Sequence, residues 1–356
     1  MGIKLKMNME SRRRFLQNAA ALGVSLGGSK VLDAPVGGVL LAVVKPARLK
    51  IGDTIGLVCP AAPAYSQETV QITVESLQQM GFKVKQSAHF YDRYGYLAGR
   101  DEARAADLNA MFADRSVRAI MAMHGGWGCA RIVPLLDYNL IRKNPKILVG
   151  YSDITALLLS IYAQTGIVTM HGPEGAATWN AFTVNHFKRL LMDAEAVFMT
   201  NPTDKNDNLT QTTDRITTWR GGVARGQLVG GNLTVLSHLV GSKYMPDTKG
   251  KILFLEDVDE EVYSMDRMLT HLKLAGILDG LAGFVFGKCT KCNTGESYGS
   301  LTLEDVFKDI IVPLQIPAFS GAMIGHISHK FTVPLGIEAE INANVGTIKL
   351  LESAVV

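Results

Sequence analysis

The chain has 356 residues, of which 47% are hydrophobic and 19% are charged, and it contains 35 glycines. This length is sufficient for two domains with ample cores, and the composition is that of a soluble globular protein. No run of 18 or more apolar residues is present, so the sequence predicts no stable insertion into a membrane. The many glycines favour an α/β protein with tight turns.

The first 48 residues differ in composition from the rest of the chain. A basic segment at residues 11–16 (SRRRFL) precedes a short, mildly apolar stretch at residues 17–28. The paired arginines before Phe15 resemble a twin-arginine export signal. We therefore predict that residues 1–48 are a leader and that the protein is periplasmic or otherwise exported. The alternative is a disordered basic extension on a cytoplasmic protein.

The positive charge of the chain is concentrated in this segment. The whole chain has a formal net charge of +3, and residues 1–48 hold eight Lys or Arg and two Asp or Glu. The remainder has 28 basic and 31 acidic residues and is therefore slightly acidic. This balance predicts that nucleic acid is not a partner.

Residues 49–200 alternate between apolar, strand-like runs and helical patterns. Such alternation predicts a doubly wound parallel sheet, with ligands bound at the carboxyl ends of the strands. Two glycine-rich turns, at residues 125 and 150, fall on that edge. The predicted strands are at residues 54–59, 82–84, 119–123 and 147–149, and the predicted helices are at residues 67–80, 100–113 and 132–136 and from residue 154 onwards.

The second half of the chain has a different pattern. Residues 201–220 are polar and read as a linker or exposed loop. Residues 221–356 then form a predicted β-rich α+β domain. Its predicted strands are at residues 222–229, 252–255, 284–286, 329–335, 337–341 and 347–351, and its predicted helices are at residues 232–240 and 265–275.

Ser152 is the candidate nucleophile. It lies where the apolar run at residues 147–149 gives way to a helical pattern, so its hydroxyl would stand clear of the sheet. Backbone N–H groups at the start of that helix could hold a developing negative charge. The motif lacks the second glycine of a G-x-S-x-G turn, since Ile154 occupies that position. Simple capping of the helix by Ser152 is the alternative.

A serine nucleophile needs a base and a group that orients the base. His326 is the candidate base because it lies in a turn after the strand-like residues 318–324, although the nearby His329 is not excluded. Glu256 is the candidate orienting group, since it comes directly after the apolar residues 252–255. The alternative for Glu256 is a place in a solvated acidic loop.

Cys289 and Cys292 have the one suggestive cysteine spacing in the chain. They could form a local disulfide or remain two free thiols, which leaves open a redox protein. A zinc site needs about four ligands, and no second pair completes one. We therefore predict no metal site.

Six sequence blocks, taken together and in order, resemble the LD-carboxypeptidase family of serine peptidases. The resemblance runs from about Pro46 to Leu351. The blocks are residues 125–128 (GGWG), 150–155 (GYSDIT), 171–173 (HGP), 230–233 (GGNL), 255–257 with 266–269 (LED and DRML), and 325–326 with 334–336 (GH and PLG).

The resemblance implies a flavodoxin-like amino-terminal domain, a β-rich second domain, and a catalytic triad across the cleft between them. Ser152 would be the nucleophile, Glu256 the orienting carboxylate and His326 the general base. The backbone N–H groups of Gly126 and Asp153 would form the oxyanion hole.

Two side chains, Trp127 and Asn232, are expected to contact substrate. Trp127 stands where the family more often has tyrosine, and His124 stands where arginine often precedes the glycines. Both departures concern the wall of the site and therefore the choice of substrate.

The implied reaction is hydrolysis of the L,D-amide bond that releases terminal D-alanine from murein tetrapeptides through an acyl-enzyme. The partner would be a peptidoglycan-derived peptide, no cofactor is needed, and a homodimer is possible. One alternative is a peptidase of the microcin self-immunity type that acts on peptidyl-nucleotide antibiotics. Another is a non-catalytic periplasmic peptide-binding protein.

Overall fold

The computed structural model describes residues 41–205, 207–294 and 299–356. The twin-arginine segment of the predicted leader lies outside these residues. The described chain first pairs at Val44, whose N–H donates to the Gly166 carbonyl at 2.8 Å. The Arg48 N–H also donates to the Val356 carbonyl at 2.7 Å. The predicted start of the fold near Leu49 is therefore too late. Within the described ranges, no helix is long and apolar enough to cross a membrane.

The first sheet has six strands, five of them mutually parallel. Its spatial order is β12-β5-β4-β3-β1-β2, and β12 is the antiparallel edge strand. The parallel part thus has the order 2-1-3-4-5 of a flavodoxin-like fold. Its inner strands are buried on both faces, which is why they read as continuous apolar runs. The bounds are β1 (Thr54–Val58), β2 (Lys83–Gln86), β3 (Val117–Ala122), β4 (Ile147–Gly150), β5 (Met170–His171) and β12 (Val333–Pro334).

Six helices accompany this sheet in the described chain. The predicted helices at residues 67–80 and 100–113 are confirmed, and the structure adds α4 and α6. Helix α1 begins where Ser66 accepts the Thr69 N–H, and α5 is apolar on nearly every face because it is buried. The bounds are α1 (Gln67–Gln79), α2 (Asp101–Ala113), α3 (Cys129–Ile132), α4 (Tyr138–Lys143), α5 (Thr155–Thr165) and α6 (Ala181–Leu191).

The second sheet has eight strands in the order β6-β14-β13-β8-β9-β10-β11-β7. Its four strands β8 to β11 are parallel to one another, and antiparallel strands complete both sides. The strands are β6 (Phe198–Met199), β7 (Thr217–Arg220), β8 (Val223–Asn232), β9 (Ile252–Val258), β10 (Gly283–Thr290), β11 (Ala318–Ser320), β13 (Glu338–Asn342) and β14 (Thr347–Leu350). The helices are α7 (Leu233–Leu239), α8 (Val262–Leu274) and α9 (Leu303–Ile310).

Two expectations for this part of the chain differ from the structure. The predicted linker at residues 201–220 ends in β7, which is the edge strand of the second sheet. The predicted strand at residues 329–335 shortens to Val333–Pro334, because the preceding residues form a loop that crosses between the sheets. That loop carries the candidate base.

The two sheets exchange edge strands. β12 follows the second-sheet strand β11 in the chain but pairs with β5 of the first sheet. β6 follows the helices of the first sheet but pairs with β14 of the second. The Asn232 N–H also donates to Thr155 Oγ1 at 3.0 Å, so β8 is bonded to the start of α5. Residues 40–356 accordingly form one compact unit.

Candidate active site

Ser152 occupies a strained turn directly after β4. Its φ of 58° lies in the left-handed region, which costs a residue with a side chain on the order of 1 kcal/mol or more. Gly150 permits the sharp turn, since a Cβ there would lie 2.8 Å from Ile154 Cγ2. The turn Ser152–Ile154 then leads into α5. Backbone strain of this kind is typical of a nucleophile held above a sheet.

Ser152 does not cap the helix. No side chain caps the turn Ser152–Ile154 or the start of α5. The neighbouring Asp153 instead accepts the Cys129 N–H at 2.8 Å, from a different segment. The half-buried Ser152 hydroxyl is therefore left without a structural hydrogen bond in the described chain, which favours a chemical role over a capping role.

The glycine-rich turn after β3 contacts this serine. A Cβ on Gly125 would lie 2.8 Å from Ser152 Cβ and 3.0 Å from its Oγ. The backbone N–H groups of Gly126 and Asp153 donate no hydrogen bond within the described residues. Two unengaged donors in the segments that flank a serine hydroxyl are what an oxyanion hole requires.

Glu256, which is buried, and His326, which is partly exposed, form a hydrogen-bonded pair. Glu256 is 0% exposed, near the end of β9, and its Oε2 lies 2.8 Å from His326 Nδ1. A carboxylate is an acceptor only, so Nδ1 carries the proton and Nε2 is free to accept one. Gly325 has a φ of 121°, and a Cβ there would lie 2.8 Å from Glu256 Oε2. Only glycine allows this close approach.

A second histidine approaches the same carboxylate from the other side. His171, in β5, places Nε2 3.7 Å from Glu256 Oε1, which is too far for a hydrogen bond. Both atoms are buried and have no hydrogen-bond partner among the described residues. Burial alone would raise the pKa of Glu256, but the imidazoles of His171 and His326 outweigh it and lower the pKa to about 2. Glu256 is therefore ionised at neutral pH.

The loop that carries His326 is anchored to both sheets. Thr290, in β10, donates through its hydroxyl to the His326 carbonyl at 3.0 Å. Asn180 and Thr183 of the α6 region donate to the Ser328 carbonyl at 2.7 and 3.1 Å. The loop then joins the first sheet as β12, next to β5.

Tyr151 connects the base with the nucleophile turn. Its ring centroid lies 4.9 Å from that of His326 and 6.2 Å from that of His171. Tyr151 is also the residue immediately before Ser152 in the chain. The predicted nucleophile, base and orienting carboxylate are thus drawn from distant parts of the sequence into one neighbourhood.

Glu174 is a site residue that the sequence reasoning missed. It is 4% exposed and accepts the N–H groups of Gly125 at 3.0 Å and of Tyr151 at 3.4 Å. Its carboxyl group therefore joins the two turns on either side of the serine. Burial raises the pKa of Glu174 to about 8. A usable signal was present, since Glu174 comes shortly after the apolar residues 167–170, as Glu256 comes after the apolar residues 252–255.

Asn232 and Trp127 lie in contrasting surroundings. Asn232 is 3% exposed and holds structure together: Oδ1 caps α7, and Nδ2 donates to Asp257 at 2.9 Å. Trp127 is 62% exposed, with its ring 5.9 Å from that of Tyr96, next to the Gly126 turn. Substrate contact by either residue stays a prediction.

Of the two alternatives for Cys289 and Cys292, a disulfide or two free thiols, the structure has the disulfide. Cys289 and Cys292 form a disulfide, with their Cα atoms 5.4 Å apart. Cys59 and Cys129 are buried free thiols. Among the described residues, no three His, Cys, Asp or Glu side chains are grouped so that they could hold a metal ion.

Known proteins are similar to this chain over most of its length. Residues 55–172 match the LD-carboxypeptidase N-terminal domain, and residues 225–341 match the LD-carboxypeptidase C-terminal domain. A probable murein peptide carboxypeptidase of Bacillus subtilis (strain 168) is 39% identical over 303 residues, which cover 84% of this chain and 91% of that protein.

Two solved structures share the fold. The microcin C7 self-immunity protein MccF, without ligand, aligns with a TM-score of 0.79 and 27% identity over 88% of this chain and 100% of that chain. A muramoyltetrapeptide carboxypeptidase from Oxalobacter formigenes aligns with a TM-score of 0.72 and 27% identity over 83% and 97%. With its matching domains, its two-sheet fold and these relatives, the chain belongs to the LD-carboxypeptidase family and is a peptidase.

Proposed function

We propose that this protein is a serine L,D-carboxypeptidase that releases terminal D-alanine from murein tetrapeptides. The observation that supports it most is the hydrogen-bonded Glu256–His326 pair beside a serine held on a strained turn. Its substrate would be a peptide derived from peptidoglycan. The Bacillus and Oxalobacter relatives, a probable murein peptide carboxypeptidase and a muramoyltetrapeptide carboxypeptidase, favour this substrate class.

The first half of the reaction forms an acyl-enzyme. Ser152 Oγ attacks the carbonyl carbon of the scissile amide while His326 Nε2 takes the serine proton. Glu256 accepts from Nδ1, fixes the tautomer and stabilises the imidazolium. The oxyanion is held by the N–H groups of Gly126 and Asp153, each of which contributes about 3 kcal/mol to transition-state stabilisation.

The second half releases both products. His326 gives its proton to the leaving amine, the C–N bond breaks, and free D-alanine departs. The same imidazole then takes a proton from water, which attacks the ester carbonyl. The ester C–O bond breaks, Ser152 regains its proton and the shortened peptide leaves. Apart from the substrate and one water molecule, these steps use side chains and backbone groups of this chain.

A peptidase of the microcin self-immunity type is the second candidate. It is favoured by the MccF structure, whose fold aligns with a TM-score of 0.79. Another structure of MccF holds aspartyl sulfamoyl adenosine. Such a substrate would place a nucleotide where the proposed murein substrate has D-alanine.

Release of D-alanine from a murein tetrapeptide, with and without Ser152, tests the proposal. Ser152→Ala should reduce turnover by at least about 10⁴-fold while leaving the circular dichroism spectrum and melting temperature close to those of the wild type. Ser116→Ala, at an exposed serine, is the matched control. Normal turnover by Ser152→Ala would remove Ser152 from the mechanism.

A second substrate separates the candidates. Incubation with a peptidyl aminoacyl-adenylate should leave it largely intact if the murein proposal holds. Cleavage of that compound, with the tetrapeptide untouched, would support the microcin self-immunity type. Binding of the tetrapeptide without cleavage of either compound would favour a non-catalytic peptide-binding protein.

A further inference from the structure

An almost buried ammonium group lies beside the nucleophile turn without a hydrogen-bond partner. Lys330 is 4% exposed, and no described residue forms a hydrogen bond or ion pair with its Nζ. The nitrogen lies 3.7 Å from the centroid of the Tyr151 ring. An ammonium group has three donors, and burying them unpaired is costly. We therefore expect this ammonium group to bind a ligand that supplies hydrogen-bond acceptors.

The fold fixes the position of this lysine. Its backbone N–H donates to Thr183 Oγ1 at 3.3 Å, so Lys330 is anchored to α6. It lies in the same loop as His326. Because the Tyr151 ring contacts both the Lys330 ammonium and the His326 imidazole, the unpaired cation lies within the catalytic neighbourhood.

The nearby carboxylates do not account for Lys330. The ionised Glu256 attracts its charge, but neither Glu256 nor Glu174 comes within 4.0 Å of the nitrogen. Each has partners of its own: the N–H groups of two turns for Glu174, and His326 for Glu256. Burial lowers the pKa of Lys330 to about 8, which leaves most of it protonated at neutral pH.

The ammonium group is also within reach of a ligand. The fully buried polar atoms that lack a partner in the described chain do not include the nitrogen of Lys330, so it retains some contact with solvent. A carboxylate could therefore reach the nitrogen and supply oxygen acceptors for its N–H groups.

We infer that Lys330 determines specificity by binding the C-terminal carboxylate of the substrate peptide. The inference rests on the proposed function, since the leaving D-amino acid carries that carboxylate on the carbon attached to the scissile nitrogen. Because this ion pair would lie close to the reacting atoms, the site would have room for one residue after the scissile bond. It would therefore make the enzyme remove terminal residues rather than cut within a chain.

The test compares two substrates in three proteins. The tetrapeptide is supplied with its free terminal carboxylate and with a terminal carboxamide, and kcat and KM are measured for the wild type, Lys330→Met and Lys330→Arg. The wild type should prefer the carboxylate by about 50-fold in kcat/KM, mostly through KM. Lys330→Met should lose that preference and change the carboxamide reaction little, while Lys330→Arg should retain part of it.

Lys243→Met is the matched control, because Lys243 also stands over a tyrosine ring but is exposed and lies elsewhere in the chain. Equal losses for both substrates in Lys330→Met would show that the lysine only balances buried carboxylates, and would overturn the inference. A wild type without preference for the carboxylate would overturn it whether or not the variants fold. A wild type that releases D-alanine from neither substrate would instead overturn the proposed function, and the inference with it.

Discussion

The two halves of the candidate site are built in different ways. On the first sheet, the position of Ser152 is set by the backbone, through its positive φ and the close approach of Gly125. On the second sheet, Glu256 and His326 are set by a side-chain hydrogen bond whose carboxylate is fully buried. The nucleophile half should therefore be sensitive to added volume, and the acid–base half to a lost charge.

Apart from loss of the nucleophile itself, the largest effect should come from removing charge in the acid–base half. Glu256→Gln keeps the shape of the side chain but no longer fixes the tautomer of His326 or stabilises its cation. We expect kcat to fall by about 10³- to 10⁴-fold with a smaller change in KM, measured by D-alanine release. The exposed Glu261→Gln should behave like the wild type. A loss below about tenfold would mean that Glu256 does not orient the base.

A smaller effect should come from adding one methyl group in the nucleophile half. Gly125→Ala would place Cβ 2.8 Å from Ser152 Cβ, so the serine must move. We expect kcat/KM to fall by about 10²-fold. Gly56→Ala is the control, because it crowds Met111 in the core of the same sheet instead. Similar losses of activity in both variants would show that the effect is general crowding.

The smallest effect, on stability, concerns Glu174, which joins the two turns of the nucleophile half. Its pKa is raised from 4.5 to about 8, so between these values the folded protein holds a proton that the unfolded chain has lost. Stability is therefore lost as the pH rises through this range. Glu174→Gln should lose less stability than the wild type between about pH 5 and pH 8, by on the order of 2 kcal/mol.

Urea denaturation at the two pH values measures this difference. Glu102→Gln, at an exposed carboxylate in α2, should follow the wild type. If Glu174→Gln and the wild type lost stability in parallel, the carboxyl group of Glu174 would not hold its proton in the folded state.

The sequence predicted the strands and helices whose pattern lies within a few neighbouring residues. The apolar runs of β1, β3 and β4 were visible because these strands are buried on both faces. The two-residue strands β5 and β6 leave no periodicity and were not predicted, and β12 was predicted too long, at residues 329–335. Helix α9 could have been found, since Thr302 and Asp305 form a capping box at its start.

The site residues likewise divide into those with a local sequence signal and those without one. Ser152, Glu256 and His326 were selected because each follows an apolar, strand-like run, which is a signal within a few residues of each. Lys330 gave no such signal of its role, and nothing local showed that His171 approaches Glu256. Their positions depend on the pairing of β12 with β5, which brings a late segment of the chain beside an early strand. Only the three-dimensional strand order shows that juxtaposition.

The exchanged edge strands have a consequence for attempts to divide this protein. A fragment ending near residue 200 would lack β12, so the outer hydrogen-bonding groups of β5 would be open to another chain. The complementary fragment would likewise leave β14 without β6. Each piece would therefore tend to self-associate, and mixing the two separately purified pieces should restore the peptidase only insofar as both strands return to their places.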